Sequence, residues 1–150
     1  GDCPLAERCL ALAAGTVGVR PVKQGRGKMR DRWFNYLHVT CGGQTLLHRR
    51  GGGDIWQGLY EFPLIETDKA ADFAELAATA AFCELLGNGR WHLRRSVTMP
   101  GHQLSHQLLH AVFHRIECDA MPAFPSVETA ALGGYALPRL VDRYLTKYQM

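Results

Sequence analysis

Several familiar signatures are missing from this chain. No stretch approaches the roughly 20 consecutive apolar residues that cross a bilayer, and Asp2, Glu7 and Arg8 interrupt the first ten residues, so they do not read as a secretion signal. The cytoplasm is the expected compartment. There is no phosphate loop, no dinucleotide fingerprint and no G-x-S-x-G elbow. The glycines at 51–53 are not followed by Lys-Ser/Thr, so they read as a loop only. Ser105 has histidines beside it, but adjacency in sequence is not a catalytic triad. The five cysteines are an odd number in a 150-residue chain that has no need of staples, which argues against a disulfide framework. Cys41, Cys83 and Cys118 sit among apolar neighbours and are expected to be buried or half-buried free thiols.

Charge is present but unevenly placed. The net charge is only +3. Between Arg20 and Arg32, however, stand Arg20, Lys23, Arg26, Lys28, Arg30 and Arg32 against the single acid Asp31. Arg49-Arg50 and Arg90, Arg94 and Arg95 add two smaller clusters. Such groupings suit a polyanion, and equally a solvated linker with ordinary surface charge.

The pattern along the chain predicts one domain. Residues 3–14 read as one or two helical turns, and 15–31, with four glycines, a proline and many cations, as a flexible linker. RWFNYLHVT (32–40) is aromatic and β-branched, hence a strand. Cys41-Gly42-Gly43 turns it back into QTLLHRR (44–50). IWQGLYEFP (55–63) reads as a short aromatic strand closed by Pro63. Its Trp56, Leu59, Tyr60 and Phe62, with Trp91, are expected in the core. Residues 67–87 read as one helix capped by Thr67 or Asp68 and ended by Gly87, with Phe73, Leu76, Ala77, Ala80 and Ala81 on its inner face. Residues 90–100 and 106–118 read as strands, the second apolar on both faces and so central. Short strand pieces follow at 127–131 and 135–137. A terminal helix spans 138–148, with Pro138 in its first turn and Leu140, Val141, Tyr144, Leu145 and Tyr148 facing inward. This order implies an α+β fold, a mixed sheet sandwiched by two main helices.

The most visible motif is a histidine ladder: His102, His106, His110 and His114 stand four apart. On a helix this spacing could chelate a metal. On a strand, positions four apart are about 13 Å apart, too far to share an ion. The β-rich composition of 106–118 favours the strand and removes the metal reading.

Three blocks together resemble a known family. LLHRRGGGDIWQGLYEFP is similar to the segment L-L-x-x-R-x-x-x-G-x-W-x-G-L-[WY]-x-F-P of the C-terminal domain of A/G-specific adenine DNA glycosylases, the MutY family. HQLSH followed by an apolar strand resembles that domain's H-x-[FL]-[ST]-H loop. CPLAERC resembles the end of the family's iron–sulfur motif. The resemblance spans nearly the whole chain, in the family's order. It implies that 1–14 is the tail of the cluster motif, 15–31 a basic interdomain linker and 32–150 a recognition domain with the Nudix-like fold of MutT. Cys3 and Cys9 would be two of the four ligands that a 4Fe-4S cluster needs, so the pair by itself is expected to hold no cluster.

The same resemblance locates what is missing. Nudix hydrolases carry R-E-U-x-E-E-x-G, where U is a bulky aliphatic residue, to hold Mg²⁺. Here the matching run is Ala80-Ala81-Phe82-Cys83-Glu84-Leu85-Leu86-Gly87, and only Glu84 remains. One carboxylate cannot gather the charge that Mg²⁺ and phosphates require. The glycosylase site lies in the family's N-terminal helical domain, which nothing here resembles. The expectation is therefore a non-catalytic, monomeric fragment of an adenine glycosylase. Its partners would be double-stranded DNA containing 8-oxoguanine:adenine and the catalytic domain of its parent chain. 8-Oxoguanine carries a proton at N7, turning an acceptor into a donor. Ser105 can turn its hydroxyl to accept there, Leu104 can wedge beside the stack, and His106 can meet a phosphate. Leu104 stands where many family members have an aromatic residue. Arg49, Arg50, Arg94 and the linker cations are phosphate-contact candidates. The alternatives are a Nudix-type hydrolase of oxidised nucleotides and a protein-docking domain.

Overall fold

The computed structural model describes residues 4, 6–19 and 27–148. A short helix α1 (Leu10–Ala13) precedes strand β1 (Arg30–Cys41). Then come β2 (Gln44–Leu46), β3 (His48–Arg49), β4 (Tyr60–Glu61), β5 (Leu64–Thr67), α2 (Phe73–Ala77), α3 (Ala80–Leu86), β6 (Trp91–Thr98), β7 (His102–Gln103), β8 (Gln107–Cys118), β9 (Ser126–Glu128) and α4 (Arg139–Tyr148). Among the described residues no helix is long and apolar enough to cross a membrane.

The main sheet is mixed, in the order β6-β8-β1-β2-β9. β8 runs parallel to β1 over eleven residue pairs, from Arg30 opposite Gln107 to Thr40 opposite Glu117, and antiparallel to β6. Helices covering both faces of the sheet explain why β8 is apolar on both. One face of the sheet carries Phe34, Tyr36, Leu109 and Phe113 beneath Leu140, Val141 and Tyr144 of α4. The other carries Leu37, Val39 and Ile116 beneath Leu76, Phe82 and Leu86 of α2 and α3. The expected α+β sandwich is the observed one. Two 12-residue strands decide it, β1 buried continuously through its centre and β8 largely at alternate positions, because each face of a strand needs its own apolar cover.

Local details differ from the sequence expectations. The helix expected over 67–87 is two helices, with Thr67 in a strand. Asp72 forms a capping box with Glu75, and Thr79 caps the second helix at Phe82. Side-chain oxygens inside an alanine-rich run thus restart the helix twice, and the inner face shifts. Leu76 is buried, whereas Ala80 and Ala81 are exposed. Gly87 ends α3 at φ 54°, as expected.

The segment 55–63 is mostly turn. Trp56 and Gly58 take positive φ, which no strand accommodates, and only Tyr60–Glu61 pairs, with His48–Arg49. The strand that flanks β1 instead follows Pro63, at Leu64–Thr67. The return arm from Gln44 leaves β1 after two residue pairs to join β9 and then β4. Of 127–137, only Ser126–Glu128 is strand; Thr129–Gly134 is a 3-10 helix. Phe62 is fully buried, while Trp56, Leu59, Tyr60 and Trp91 are half-buried. Cys118 is buried and Cys41 half-buried, but Cys83 is exposed on α3.

Candidate functional site

The HQLSH motif folds as a tight connection into the central strand. His102–Gln103 pairs with Leu108–Leu109 of β8, and the chain reverses through Leu104, Ser105 and His106. Two backbone bonds close the reversal. The Leu104 amide donates to the Gln107 carbonyl at 2.8 Å, and the Arg30 amide donates to the His106 carbonyl at 3.1 Å. Ser105 and His106 are exposed. Leu104 is half-buried and packs against the α4-side core, so its side chain anchors the loop. The loop is thus a rigid tip presenting a free hydroxyl and an imidazole.

The surroundings of this tip were not legible in the sequence. Trp56, at φ 58° the one described non-glycine residue with positive φ, lies 5.9 Å from the His102 ring and edge-on to Phe34. His102 is held below its ordinary pKa by partial burial and by Arg143 and Arg139 of α4. Cations from the terminal helix therefore also reach the loop's neighbourhood.

Beneath the loop sits a partly buried ion network centred on Arg32. Arg32 is only 6% exposed and donates bidentately to Asp54 (2.8 and 2.7 Å) and to Glu66 (both 2.7 Å). A fifth bond runs to Gln107 Oε1 at 3.0 Å, the residue that follows the 104–106 loop. Arg50 bridges Asp54 and Glu61, and Glu61 accepts from the buried Tyr36 hydroxyl. The bond from Arg32 holds Asp54 far below the usual carboxylate range and lowers Glu66 as well. Burial pushes the Tyr36 phenol well up. Arg32 therefore joins β1, β5 and β8, and the aspartate of the glycine-rich loop is a structural counter-ion to it and to Arg50. Only the tertiary pairing reveals it, since its partners are 22 and 4 residues away.

The other phosphate-contact candidates have mixed placements. Arg49 is exposed and donates to the Gly58 carbonyl. Arg50 is turned inward, with its guanidinium committed to Glu61, Asp54 and the Ile55 carbonyl. Arg94 is exposed and paired with Glu117. Of the linker cations, Lys28 and Arg30 are exposed; Arg20, Lys23 and Arg26 lie outside the described residues, as does Cys3. Cys9 is half-buried beside α1.

The histidine ladder disperses into four environments. His102 lies beside Trp56 and His106 is in the loop. His110 stacks on Trp33 and bonds Asp31, and His114 is buried against Ser96. Among the described residues no three His, Cys, Asp or Glu side chains gather to hold a metal ion. Glu84, alone on α3, borders a trough whose other walls include Leu37, Pro63, Ile65, Leu85 and Phe124. These donors do not fit Mg²⁺, and no metal-dependent step follows from them.

A strand-rich sheet between a split helix and a terminal helix, with α3 ending at Gly87, is the arrangement that the NUDIX domain profile matches over residues 35–147. The chain belongs to the NUDIX domain family. No curated protein matches it significantly in sequence. Among solved structures, this NUDIX domain is similar to the C-terminal domain of mouse MUTYH, crystallised with human PCNA: TM-score 0.61, 16% identity, covering 80% of this chain and 88% of that one. It is also similar to a MutT protein from Methanosarcina mazei Go1 (TM-score 0.56, 13% identity, 82% and 96% covered) and to the Nudix hydrolase RenU from M. smegmatis (0.51, 13%, 81% and 90%). At these identities the likeness is one of fold.

Proposed function

We propose that this NUDIX domain is the lesion-recognition domain of a MutY-type adenine DNA glycosylase, reading 8-oxoguanine opposite adenine without catalysis of its own. The carrying observation is the rigid tip at 104–106, with Ser105 exposed and the backbone on both sides pinned. A hydroxyl can accept from N7–H of the lesion; it can also donate to N7 of unmodified guanine, so the preference requires the tip to hold the hydroxyl in its accepting orientation. Exposed Arg49 and the cations Arg139 and Arg143 would hold the backbone phosphates, fixing register without reading sequence. The cluster motif tail and catalytic domain belong to the same reading, with Cys3 and Cys9 contributing to a 4Fe-4S site only alongside two further cysteines. The fold likeness to the MUTYH domain fits this role.

The test is an NMR titration of the chain with an 8-oxoguanine:adenine duplex and with a guanine:cytosine duplex. Lesion-dependent shifts at 102–107 that Ser105→Ala weakens are expected. Equal shifts with both duplexes, or none at 100–107, refute the assignment. The fold also occurs in hydrolases, so a second reading is hydrolysis of oxidised nucleotides. Turnover of 8-oxo-dGTP with Mg²⁺ would favour it, and the solitary Glu84 argues against it.

A further inference from the structure

At the far end of β8 lies a feature the recognition loop does not explain. Arg115 is eight residues along the strand from Gln107, roughly 26 Å away. There, a cleft of about 390 Å³ opens on the α4 side of the sheet, with Arg94, Arg95, Arg115, Glu117, Tyr144 and Tyr148 among its walls.

Three observations make this cleft unusual. First, Arg95 and Arg115 are direct cross-strand partners in the antiparallel β6–β8 pair. Like charges directly opposite destabilise a sheet. Second, β6 is irregular between Leu93 and Arg95. In a regular strand Arg94 and Arg95 would point to opposite faces; the irregularity lets both line one cleft, the kind of re-aiming that bulges perform at sites. Third, the positive charge is left uncompensated. Glu117 is the one carboxylate among the described cleft residues, and Arg94 holds it. Half-buried Arg115 has no hydrogen-bond acceptor or carboxylate partner among the described residues, and Arg95 rests on the Tyr148 ring at 5.2 Å. Tyr144 is fixed by its bond to His38 at 3.0 Å, so the aromatic wall is rigid.

We propose that this cleft is a phosphate-binding site in which Arg115 and Arg95 clamp the phosphate, with Tyr148 flanking the group that carries it. Guanidinium pairs match phosphate oxygens in number and geometry. The volume is near the lower end for small-ligand pockets, enough for a phosphate and one attached sugar or base. The phosphate belongs to a nucleotide or to a nucleic-acid backbone. Neither the family assignment nor the recognition loop requires it.

The experiment is thermal unfolding and calorimetric titration of the whole chain with inorganic pyrophosphate, ionic strength being held constant with chloride. Wild type should show saturable binding and a rising midpoint. Arg115→Gln and the exposed Arg95→Gln should each unfold at a higher temperature than wild type without ligand, since a like-charge contact is gone, and bind pyrophosphate at least about tenfold more weakly. A merely structural arginine would not give that opposed pair of effects. Two further arms identify the source. If a nucleotide is the ligand, a deoxynucleoside monophosphate competes with pyrophosphate. If the phosphate is part of DNA, Arg115→Gln lowers the salt slope of lesion-free duplex binding by about 1. Absence of pyrophosphate binding by wild type, unchanged binding by both variants, or loss of ligand-free stability in both overturns the assignment.

Discussion

Replacing Arg32 with methionine tests the ion network beneath the 104–106 loop. The substitution keeps an apolar stem over Phe34, where the guanidinium carbon lies 4.8 Å from the ring centre. It removes all five bonds to Asp54, Glu66 and Gln107. Stripping one partner from a buried pair costs about 3–5 kcal/mol. Asp54 and Glu66 each remain 36% exposed, so water relieves part of the loss and the low end, about 3 kcal/mol, applies. For a domain of this size that lowers the unfolding midpoint by about 6–12 °C.

The sign of the pH dependence is a stricter check. In wild type both carboxylates titrate below their unfolded values, so their stabilisation is complete above about pH 5 and is lost as pH falls through the depressed folded values. Without Arg32 the largest cause of both depressions is gone, leaving Arg50 and the Ile55 amide at Asp54 and Arg30 near Glu66, so the variant has much less of this stabilisation to lose. The gap between the two proteins should be widest near pH 7 and shrink below pH 4. Urea unfolding at pH 7, 5, 4 and 3 measures it. A gap under about 1 kcal/mol at pH 7, or one that stays constant down to pH 3, refutes the account.

Three further outcomes are expected. Burial holds His38 and His114 down to about 4, Arg115 adding to the effect at His38; since the unfolded chain binds protons first, stability should fall as pH drops from about 6.5 to 4, by on the order of 3 kcal/mol per residue. His114→Asn should remove about half of that slope, and a flat profile over this window contradicts it. Tyr144→Phe strips the His38 Nδ1 of its partner in a site where Nε2 is already unpaired, and should cost about 1–3 kcal/mol by urea unfolding. Asp72→Ala breaks the capping box that starts α2 and should lower stability by about 1 kcal/mol, whereas Asp68→Ala, at the cap position the sequence suggested, should leave it nearly unchanged.

The sequence by itself determined the two long strands, the terminal helix and its inward stripe, because aromatic and β-branched runs favour strands and 3.6-residue periodicity reports which side of a helix faces apolar cover. It also marked a loop before the central strand, and the family resemblance, not composition, pointed to Leu104-Ser105-His106 there. It did not place the helix restart at Asp72 and Thr79, because several polar residues in that run can cap a helix and only packing selects among them. Nor did it separate Arg50, spent internally on Glu61 and Asp54, from Arg49, which stays at the surface. Adjacent arginines look alike until strand pairing turns one of them inward. The Arg32 network and the Arg95–Arg115 cleft belong wholly to tertiary structure. Their members meet across strands from positions 20 or more residues apart, and charges so separated in sequence acquire meaning only when the sheet sets their register.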